Sequence, residues 1–317
     1  MKKFFRNIGA KLKAFWELIR DTYKEWNARD PFTNSAIISY YTIFSLPGLL
    51  VIIINIAGYF YGTDVVTDNI TAQIGKMTGG GDTATSIKEI VSNASAGKGM
   101  TLSSIIGIAT LLYGATGIFY QVQQILNKMW QVAPAPKQKF LKLVKDRLFS
   151  FGLVLAVGFL LLVSLVLSTV LSAFSEWVTL KFSDSLNFMF KIIDILLSVG
   201  ITTLLFASIY KFLPDARVKW RYVWSGAFLT SVLFVAAKFA LGFYFGKSNP
   251  ASTYGAAGSI ILIMLWVSYA GLILLYGAEF TKVYADRYGA PVKPTPGAKS
   301  TADKPQKKLG EKNANHA

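Results

Sequence analysis

Residues 232–245 read VLFVAAKFALGFYF, an apolar run that contains a single charged side chain, Lys238. The apolar character continues on both sides. Residues 222–246 together are long enough to cross a hydrocarbon core of about 30 Å as a helix at about 1.5 Å per residue. Soluble cores do not need apolar blocks of this length. The stretch therefore predicts a transmembrane helix, and it raises the question of what the ammonium of Lys238 does inside it.

Five more segments of this kind occur in the chain, and the composition agrees with them. The 317-residue chain is 53% hydrophobic and 16% charged, whereas soluble domains contain about 25% charged residues. Backbone groups in lipid must find partners within their own segment, so each span is expected to be helical. The predicted fold class is all-α, a polytopic membrane protein with six transmembrane helices: about 36–60, 101–126, 148–175, 188–212, 222–246 and 255–284.

Lysine and arginine residues are distributed unevenly between the connections, which predicts the orientation. Of the 33 basic residues, 26 lie in the N-terminal arm, the second and fourth connections and the C-terminal tail, and six lie in the other connections. Lys238 is the remaining one. Both termini are thus predicted to be cytoplasmic. A basic face beside anionic lipid also accounts for the net charge of +16 without a nucleic-acid partner.

The chain is predicted to consist of three regions. Residues 31–285 form the transmembrane domain, with one external loop at 61–100 that contains two short amphipathic helices, and residues 286–317 form a disordered basic cytoplasmic tail. Residues 1–30 contain an amphipathic helix, which either lies in the headgroup plane or packs against the cytoplasmic mouth of the bundle. Its apolar face is predicted from steps of three and four: Phe4, Ile8, Leu12, Phe15, Ile19, Tyr23 and Trp26.

Two charged side chains fall inside predicted spans at similar heights. Asp194 lies about six residues from the outer end of the fourth span, and Lys238 about eight residues from the outer end of the fifth. A lone charge in a membrane helix costs about 2.5–3.5 kcal/mol, so an intramembrane pair of Lys238 with Asp194 is predicted. The pair is either a static lock between helices or part of a substrate pathway, and Lys238 is also long enough to snorkel outward.

The first and sixth spans contain further candidates. Pro47 and Gly48 interrupt the first span in FSLPGLL, where a helix break of the kind that lines transporter sites, or a simple proline kink, is expected. Tyr40 and Tyr41 lie on the cytoplasmic side of this break. Glu279, near the inner end of the sixth span, has Lys282 and the basic residues of the cytoplasmic loops as candidate partners. Glu279, Tyr40 and Tyr41 are candidates for an inner gate or for a structural role.

Catalytic and cofactor motifs are missing from the sequence. The chain has no cysteine and a single histidine, His316, which argues against thiolate chemistry and His-based zinc sites. It contains no Walker-type glycine loop, no HExxH and no nucleophile elbow. No catalytic, metal-binding or cofactor-binding residue is predicted, and the protein is not expected to be an enzyme.

Three segments carry a resemblance to a known family. Residues 36–50 (AIISYYTIFSLPGLL), 213–228 (LPDARVKWRYVWSGAF) and 254–285 (YGAAGSIILIMLWVSYAGLILLYGAEFTKVYA) resemble the YihY/BrkB family of bacterial inner-membrane proteins. The resemblance covers roughly residues 15–285 and implies six helices with both ends in the cytoplasm. It implies no catalytic or ligand residue. The ribonuclease label once attached to the family has no support in this sequence.

The leading functional hypothesis is a transporter, exporter or flippase for a small amphiphile, lipid or anion, located in the bacterial inner membrane. Its cavity would lie between spans one, four, five and six, faced by Lys238 and Asp194. The alternative is a non-transporting membrane scaffold that supports envelope integrity or virulence. A third reading, a ribonuclease, is disfavoured because the net positive charge is the only sequence feature that supports it. The expected partners are anionic lipids at the cytoplasmic face and an unidentified small-molecule or lipid substrate, with no nucleic acid.

Overall fold

The computed structural model describes residues 2–78, 117–133, 185–248, 258–289, 291–296 and 298–301. The helices in these ranges are α1 (Lys2–Asn27), α2 (Pro31–Tyr61), α3 (Thr63–Thr78), α4 (117–129), α5 (Ser185–Phe212), α6 (Trp220–Ser248) and α7 (Gly258–Tyr288). The same ranges contain four strands of two residues each: β1 (Val132–Ala133), β2 (Ala216–Arg217), β3 (Lys293–Pro294) and β4 (Lys299–Ser300).

Helices α2, α5, α6 and α7 cover the first, fourth, fifth and sixth predicted spans. The described ranges contain three helical segments that are long and apolar enough to cross a membrane: Ile192–Phe212, Trp220–Tyr244 and Ile260–Tyr288. The predicted span at 148–175 and most of that at 101–126 lie outside the described residues. The count of six spans and the orientation therefore stay predictions.

Helix α7 is the central helix of the described bundle. It packs against α1, α2 and α6, and α5 packs against α6. The main core gathers at one end of these helices, around Trp130, Tyr210 and Leu275. A smaller core joins Leu50 of α2 to Ile263 at the other end. We call the first end, which includes Arg29, Lys128, Lys219 and Arg287, the basic end; it is the end predicted to be cytoplasmic.

Helices α6 and α7 cross in close contact through small residues. Gly226 faces Thr281 and Gly277 faces Thr230, and a Cβ atom on either glycine would overlap the hydroxyl of the facing threonine. A Cβ on Gly226 would also lie 3.1 Å from the Gly277 carbonyl oxygen. Small residues four positions apart allow membrane helices to approach in this way. Both helices contain the same sequence pattern, GAFLT at 226–230 and GAEFT at 277–281, and the two copies face each other at this crossing.

Helix α1 packs lengthwise on α7 and so contacts the bundle, as in the second of its two predicted placements; the cytoplasmic location of this contact stays a prediction. Over residues 13–27, where its side chains are described, the buried positions are Leu18, Thr22 and Trp26. Tyr23 was expected on the same face as Trp26 but is exposed. A run of apolar residues at steps of three and four marks a broad sector, and contact with α7 selects only one part of it.

Loops and strands close the basic end. Asn127 and Asp215 form two reciprocal hydrogen bonds: Asn127 Nδ2 donates to Asp215 Oδ2 at 3.0 Å, and the Asp215 N–H donates to Asn127 Oδ1 at 2.8 Å. Trp130 Nε1 donates to the carbonyl oxygen of Ala278 at 2.9 Å. These bonds connect the end of α4 to the α5–α6 loop and to α7.

The prediction of a disordered tail from residue 286 is wrong for its first part. Helix α7 continues to Tyr288, and β3 and β4 then pair antiparallel with β2 and β1. The Thr295 N–H donates to the Asp215 carbonyl oxygen at 3.0 Å, and the Thr301 N–H donates to the Gln131 carbonyl oxygen at 2.8 Å. Composition does not indicate these strands, because backbone hydrogen bonds hold them. Residues 302–317 lie outside the described residues.

Helix α2 is continuous where an interruption was predicted. It runs from Pro31 to Tyr61 and includes Pro47 and Gly48. The backbone is therefore not broken at Pro47 and Gly48, and the second expectation, a simple proline kink, stays a prediction. A proline removes one hydrogen bond from a helix, but a membrane helix tolerates this when its neighbours support it. Helix α2 ends at Tyr61, the next residue is Gly62, whose φ of 89° favours glycine, and α3 begins directly afterwards.

Candidate functional site

Lys238 and Asp194 stand at corresponding levels of α6 and α5. The hydroxyls of Thr202 and Ser231 contact each other between these helices, and the Ser231 hydroxyl donates to the Val199 carbonyl oxygen at 2.8 Å. Asp194 lies about two turns before Thr202 on α5, and Lys238 lies about two turns after Ser231 on α6. The predicted match in height is therefore consistent with the register of the two helices.

The two side chains nevertheless form no ion pair with each other in the described structure. Asp194 is exposed and Lys238 is partly exposed. At about 100° per residue, Lys238 shares a face with Ser231, whereas Asp194 lies about 80° around α5 from Thr202. Equal height does not bring two side chains together unless they also share a face. The predicted charge pair is thus not formed.

A buried charged cluster lies instead at the basic end, around Glu279. The Glu279 side chain is 0% exposed. Arg29 Nε lies 3.1 Å from Glu279 Oε2, and Lys282 Nζ lies 3.6 Å from Glu279 Oε1. A buried carboxylate without a cation would destabilise the fold strongly, so these partners hold it in place. The contact with the candidate partner Lys282 is confirmed, and Arg29 is added to it from the N-terminal arm.

The corner between α1 and α2 positions Arg29. Asp30 adopts a left-handed backbone conformation, with φ 52° and ψ 57°, which lets the chain turn between the two helices. Asn34, in the first turn of α2, holds this corner because its Nδ2 donates to the Arg29 carbonyl oxygen at 2.7 Å. The position of the guanidinium therefore depends on a turn that neither helix pattern indicates.

The Arg29 guanidinium connects three elements. Besides Glu279 on α7, it contacts Glu25 Oε2 on α1 at 3.1 Å and donates to the Lys128 carbonyl oxygen, near the end of α4, at 3.4 Å. Arginine suits this role because its planar group carries five donors in fixed directions. One side chain thus ties the N-terminal arm to the centre of the basic end.

Aromatic rings lie against this cluster. The buried Trp26 ring packs against Tyr23, Phe32 and Tyr276, with centroid distances of 5.7, 6.0 and 5.9 Å. The buried polar atoms without an aligned hydrogen bond to any described residue are Trp26 Nε1, Arg29 Nε and both carboxylate oxygens of Glu279. The cluster is therefore held by the proximity of opposite charges more than by directional hydrogen bonds.

Tyr40 and Tyr41 do not belong to this cluster. Tyr40 lies 11 residues after Arg29, is 54% exposed, and packs its ring 4.8 Å from that of Phe44. Tyr41 faces α4, where its Cδ1 atom lies 4.0 Å from the place that a Cβ on Gly117 would take. A gating role for the two tyrosines stays a prediction.

Three other carboxylates at the basic end, those of Glu17, Asp21 and Asp286, are paired with cations. Arg287 lies 2.7 Å from Glu17 and 3.7 Å from Asp21 of α1, and Asp286 lies 3.9 Å from Lys282. The described part of the chain contains no group of three or more histidine or acidic residues that could hold a metal ion. Glu17 and Asp21 therefore fasten α1 to α7, whereas Asp286 is paired within α7.

The chain is similar to bacterial proteins named UPF0761 membrane protein. It is 28% identical to one from Pseudoalteromonas atlantica over 80% of this chain and 82% of that protein. A relative from Tolumonas auensis is 31% identical over 58% of each chain. One from Verminephrobacter eiseniae is 27% identical over 56% of this chain and 40% of the relative. The chain thus spans about half the length of several relatives that it matches. No solved structure matches it.

The family comparison covers nearly all of the described bundle. The family model described as Virulence factor BrkB matches residues 22–302. This range includes the three segments that carried the resemblance, as well as Arg29 and Glu279. The resemblance to the YihY/BrkB family is thereby confirmed. The chain belongs to the Virulence factor BrkB family of membrane proteins.

Proposed function

We propose that the protein is a transporter, exporter or flippase for a small amphiphile, lipid or anion, and that Arg29 and Glu279 close its basic end. One observation carries this proposal: a fully buried carboxylate within a candidate span lies 3.1 Å from a guanidinium supplied by a separate element. Ionisable groups inside membrane helices are rare and often mark substrate or ion pathways. We place the protein in the bacterial inner membrane with its basic end in the cytoplasm.

The geometry favours a contact that is able to open. On the α7 side, Glu279 keeps Lys282 as a cation at 3.6 Å when Arg29 moves away. On the α1 side, Arg29 keeps Glu25 as an anion at 3.1 Å. Each charge thus has a second partner that stays with it, which lowers the free-energy cost of separating Arg29 from Glu279. A purely static lock does not require these second partners.

Lys238 and Asp194 do not carry this proposal. A passage anchored by their mutual ion pair required the two side chains to meet, and they are not paired with each other. Lys238 still lies within a candidate span, six residues before its end at Tyr244. Its long side chain can reach the nearer membrane surface from there.

Flux through purified protein in liposomes tests the proposal. The Glu279→Gln variant removes the charge and keeps the side-chain shape, and the measured quantities are the rates of chloride flux and of flipping of fluorescent phospholipid analogues. We expect a rate about tenfold above that of the unchanged protein, which corresponds to a loss of about 1.4 kcal/mol of closing free energy. The matched control is Asp64→Asn, which makes the same change on an exposed carboxylate in the first turn of α3 and is expected to leave the rate unchanged. Unchanged protein and Glu279→Gln rates that both equal those of protein-free liposomes would contradict the proposal.

A non-transporting scaffold that supports envelope integrity or virulence is the second candidate. The observation that favours it is the exposed aromatic surface of α1, where Trp16 is 69% and Tyr23 55% exposed. Complementation of a deletion strain separates the two functions. A scaffold predicts that a folded Glu279→Gln variant restores envelope resistance to detergent as well as the unchanged protein does, whereas a transporter predicts altered resistance.

A further inference from the structure

The side chains around α1 are sorted into four sectors over residues 13–27. At about 100° per residue, the sector that packs on α7 is followed in turn by an aromatic, a basic and an acidic sector. The packing sector contains Leu18, Thr22 and Trp26, and the aromatic sector contains Trp16 and Tyr23. The basic sector contains Lys13, Arg20 and Lys24, and the acidic sector contains Glu17, Asp21 and Glu25.

The acidic sector is largely neutralised within the protein. Glu17 and Asp21 contact Arg287, and Glu25 contacts Arg29. The basic sector is not neutralised to the same extent. Lys13 and Lys24 are exposed and have no ion pair among the described residues, and Arg20 has only an exposed contact with Asp21 at 3.5 Å. The uncompensated charge on the outside of α1 is therefore positive.

The aromatic sector is continuous with the surface of the transmembrane bundle. Tyr23 of α1 and Phe32 of α2 pack on the same Trp26 ring, and both are more than half exposed. Helix α1 itself is fastened to α7 beside its candidate span Ile260–Tyr288. The exposed rings of α1 thus lie next to a candidate membrane span.

From these observations we infer that α1 docks on an anionic phospholipid surface, with Trp16 and Tyr23 inserted among the headgroups and Lys13, Arg20 and Lys24 in contact with their phosphates. Aromatic side chains with one polar atom favour the headgroup region, and basic residues beside them favour anionic lipid. The surface proposed to dock, which contains Trp16 and Tyr23, differs from the apolar face that the sequence periodicity predicts. The reason is that α7 covers Trp26 and leaves Tyr23 exposed. This inference does not depend on transport.

Site-directed spin labelling tests the docking, since the chain has no cysteine of its own. Full-length Trp16→Cys and Tyr23→Cys variants are labelled with a nitroxide in nanodiscs that contain phosphatidylglycerol. The Asp21→Cys variant, on the acidic sector of the same helix, is the matched control. We expect labels at 16 and 23 to be relaxed more by oxygen than by a water-soluble nickel chelate, and the label at 21 to show the reverse.

Removal of the charge tests the lipid class. Each basic residue near an anionic surface contributes about fivefold to partitioning, so Lys13→Gln, Arg20→Gln and Lys24→Gln together are expected to abolish the difference between phosphatidylglycerol and phosphatidylcholine nanodiscs at position 16. Equal nickel accessibility at 16 and 21 in anionic nanodiscs would overturn the inference. Protection at 16 in detergent without a bilayer, in step with self-association, would assign the surface to a second copy of the chain and would overturn it as well.

Discussion

Gly277 lies where α7 has no room for a side chain. A Cβ at this position would overlap the Thr230 hydroxyl and lie 2.6 Å from Tyr210 Oη. Tyr210 Oη in turn lies 2.9 Å from Thr230 Oγ1 and donates to the Leu274 carbonyl oxygen at 2.8 Å. A single methyl group would therefore disturb the contact of α5, α6 and α7 at once.

The Gly277→Ala variant is expected to lose about 1–3 kcal/mol of unfolding free energy, the usual cost of overpacking. Gly200→Ala is its control, because a Cβ on Gly200 has no neighbour within 4 Å and alanine favours a helix over glycine by about 0.5–1 kcal/mol. Unfolding of the purified variants, followed by circular dichroism, measures both. Two variants of equal stability would contradict the close crossing.

A second prediction at the residue level concerns the contact between Arg29 and Glu279. Arg29→Met leaves Lys282, at 3.6 Å, as the remaining cation of the carboxylate and is expected to cost less than the about 3–5 kcal/mol of a fully uncompensated buried charge. Arg29→Met combined with Glu279→Met removes both charges and is expected to recover part of that loss. The same unfolding measurement compares them, and a double variant less stable than Arg29→Met would show that the pair does not act as a unit.

At the level of elements, the reciprocal bonds of Asn127 and Asp215 connect the end of α4 to the α5–α6 loop. Asn127 is 2% exposed. Its side-chain amide forms hydrogen bonds both to the backbone N–H and to the carboxylate of Asp215. Thr295 then bonds to the carbonyl oxygen of Asp215 from the strand segment after α7. The loop is thus held from both sides.

Asn127→Asp is expected to destabilise this loop more than Asn127→Ala does. The aspartate places a second carboxylate about 3 Å from Asp215, and like charges at such a distance repel in a partly buried site. The alanine loses only hydrogen bonds, each worth about 0.5–1.5 kcal/mol. Hydrogen exchange of the amides of residues 213 and 215–219 measures the effect. Slower exchange in Asn127→Asp than in Asn127→Ala would refute the expectation.

For the whole molecule, the orientation of the bundle can be tested with single cysteines. Asp64 at the start of α3 and Lys219 before α6 are both exposed, and α2 lies between the basic end and α3. We expect Asp64→Cys to react with an impermeant maleimide in cells with a permeable outer membrane, and Lys219→Cys to react only after the inner membrane is opened. The unchanged chain, which lacks cysteine, supplies the blank. Reaction of both residues from the same side would contradict a membrane-spanning α2.

Much of the fold follows from the sequence, and the site follows from it only in part. The apolar runs predict α2, α5, α6 and α7, and the periodicity of the arm predicts α1. Glu279 stands out as a charge in an apolar helix, and Lys282 as its neighbour one turn later. Arg29 does not stand out, because it is one of many basic residues in the arm and only the corner at Asp30 brings it to Glu279.

The sequence by itself determined which segments are helical and apolar, because hydropathy and helical periodicity are properties of neighbouring residues. Only the tertiary structure decided which faces meet. It set Glu279 against Arg29, formed no ion pair between Lys238 and Asp194 in the described residues, and brought the two GAxxT segments together across α6 and α7. The tertiary structure also placed two short strands, β3 and β4, in the segment after α7. The physical reason is that a contact depends on the rotation of each helix about its axis and on backbone partners far away in the chain, neither of which a local pattern specifies.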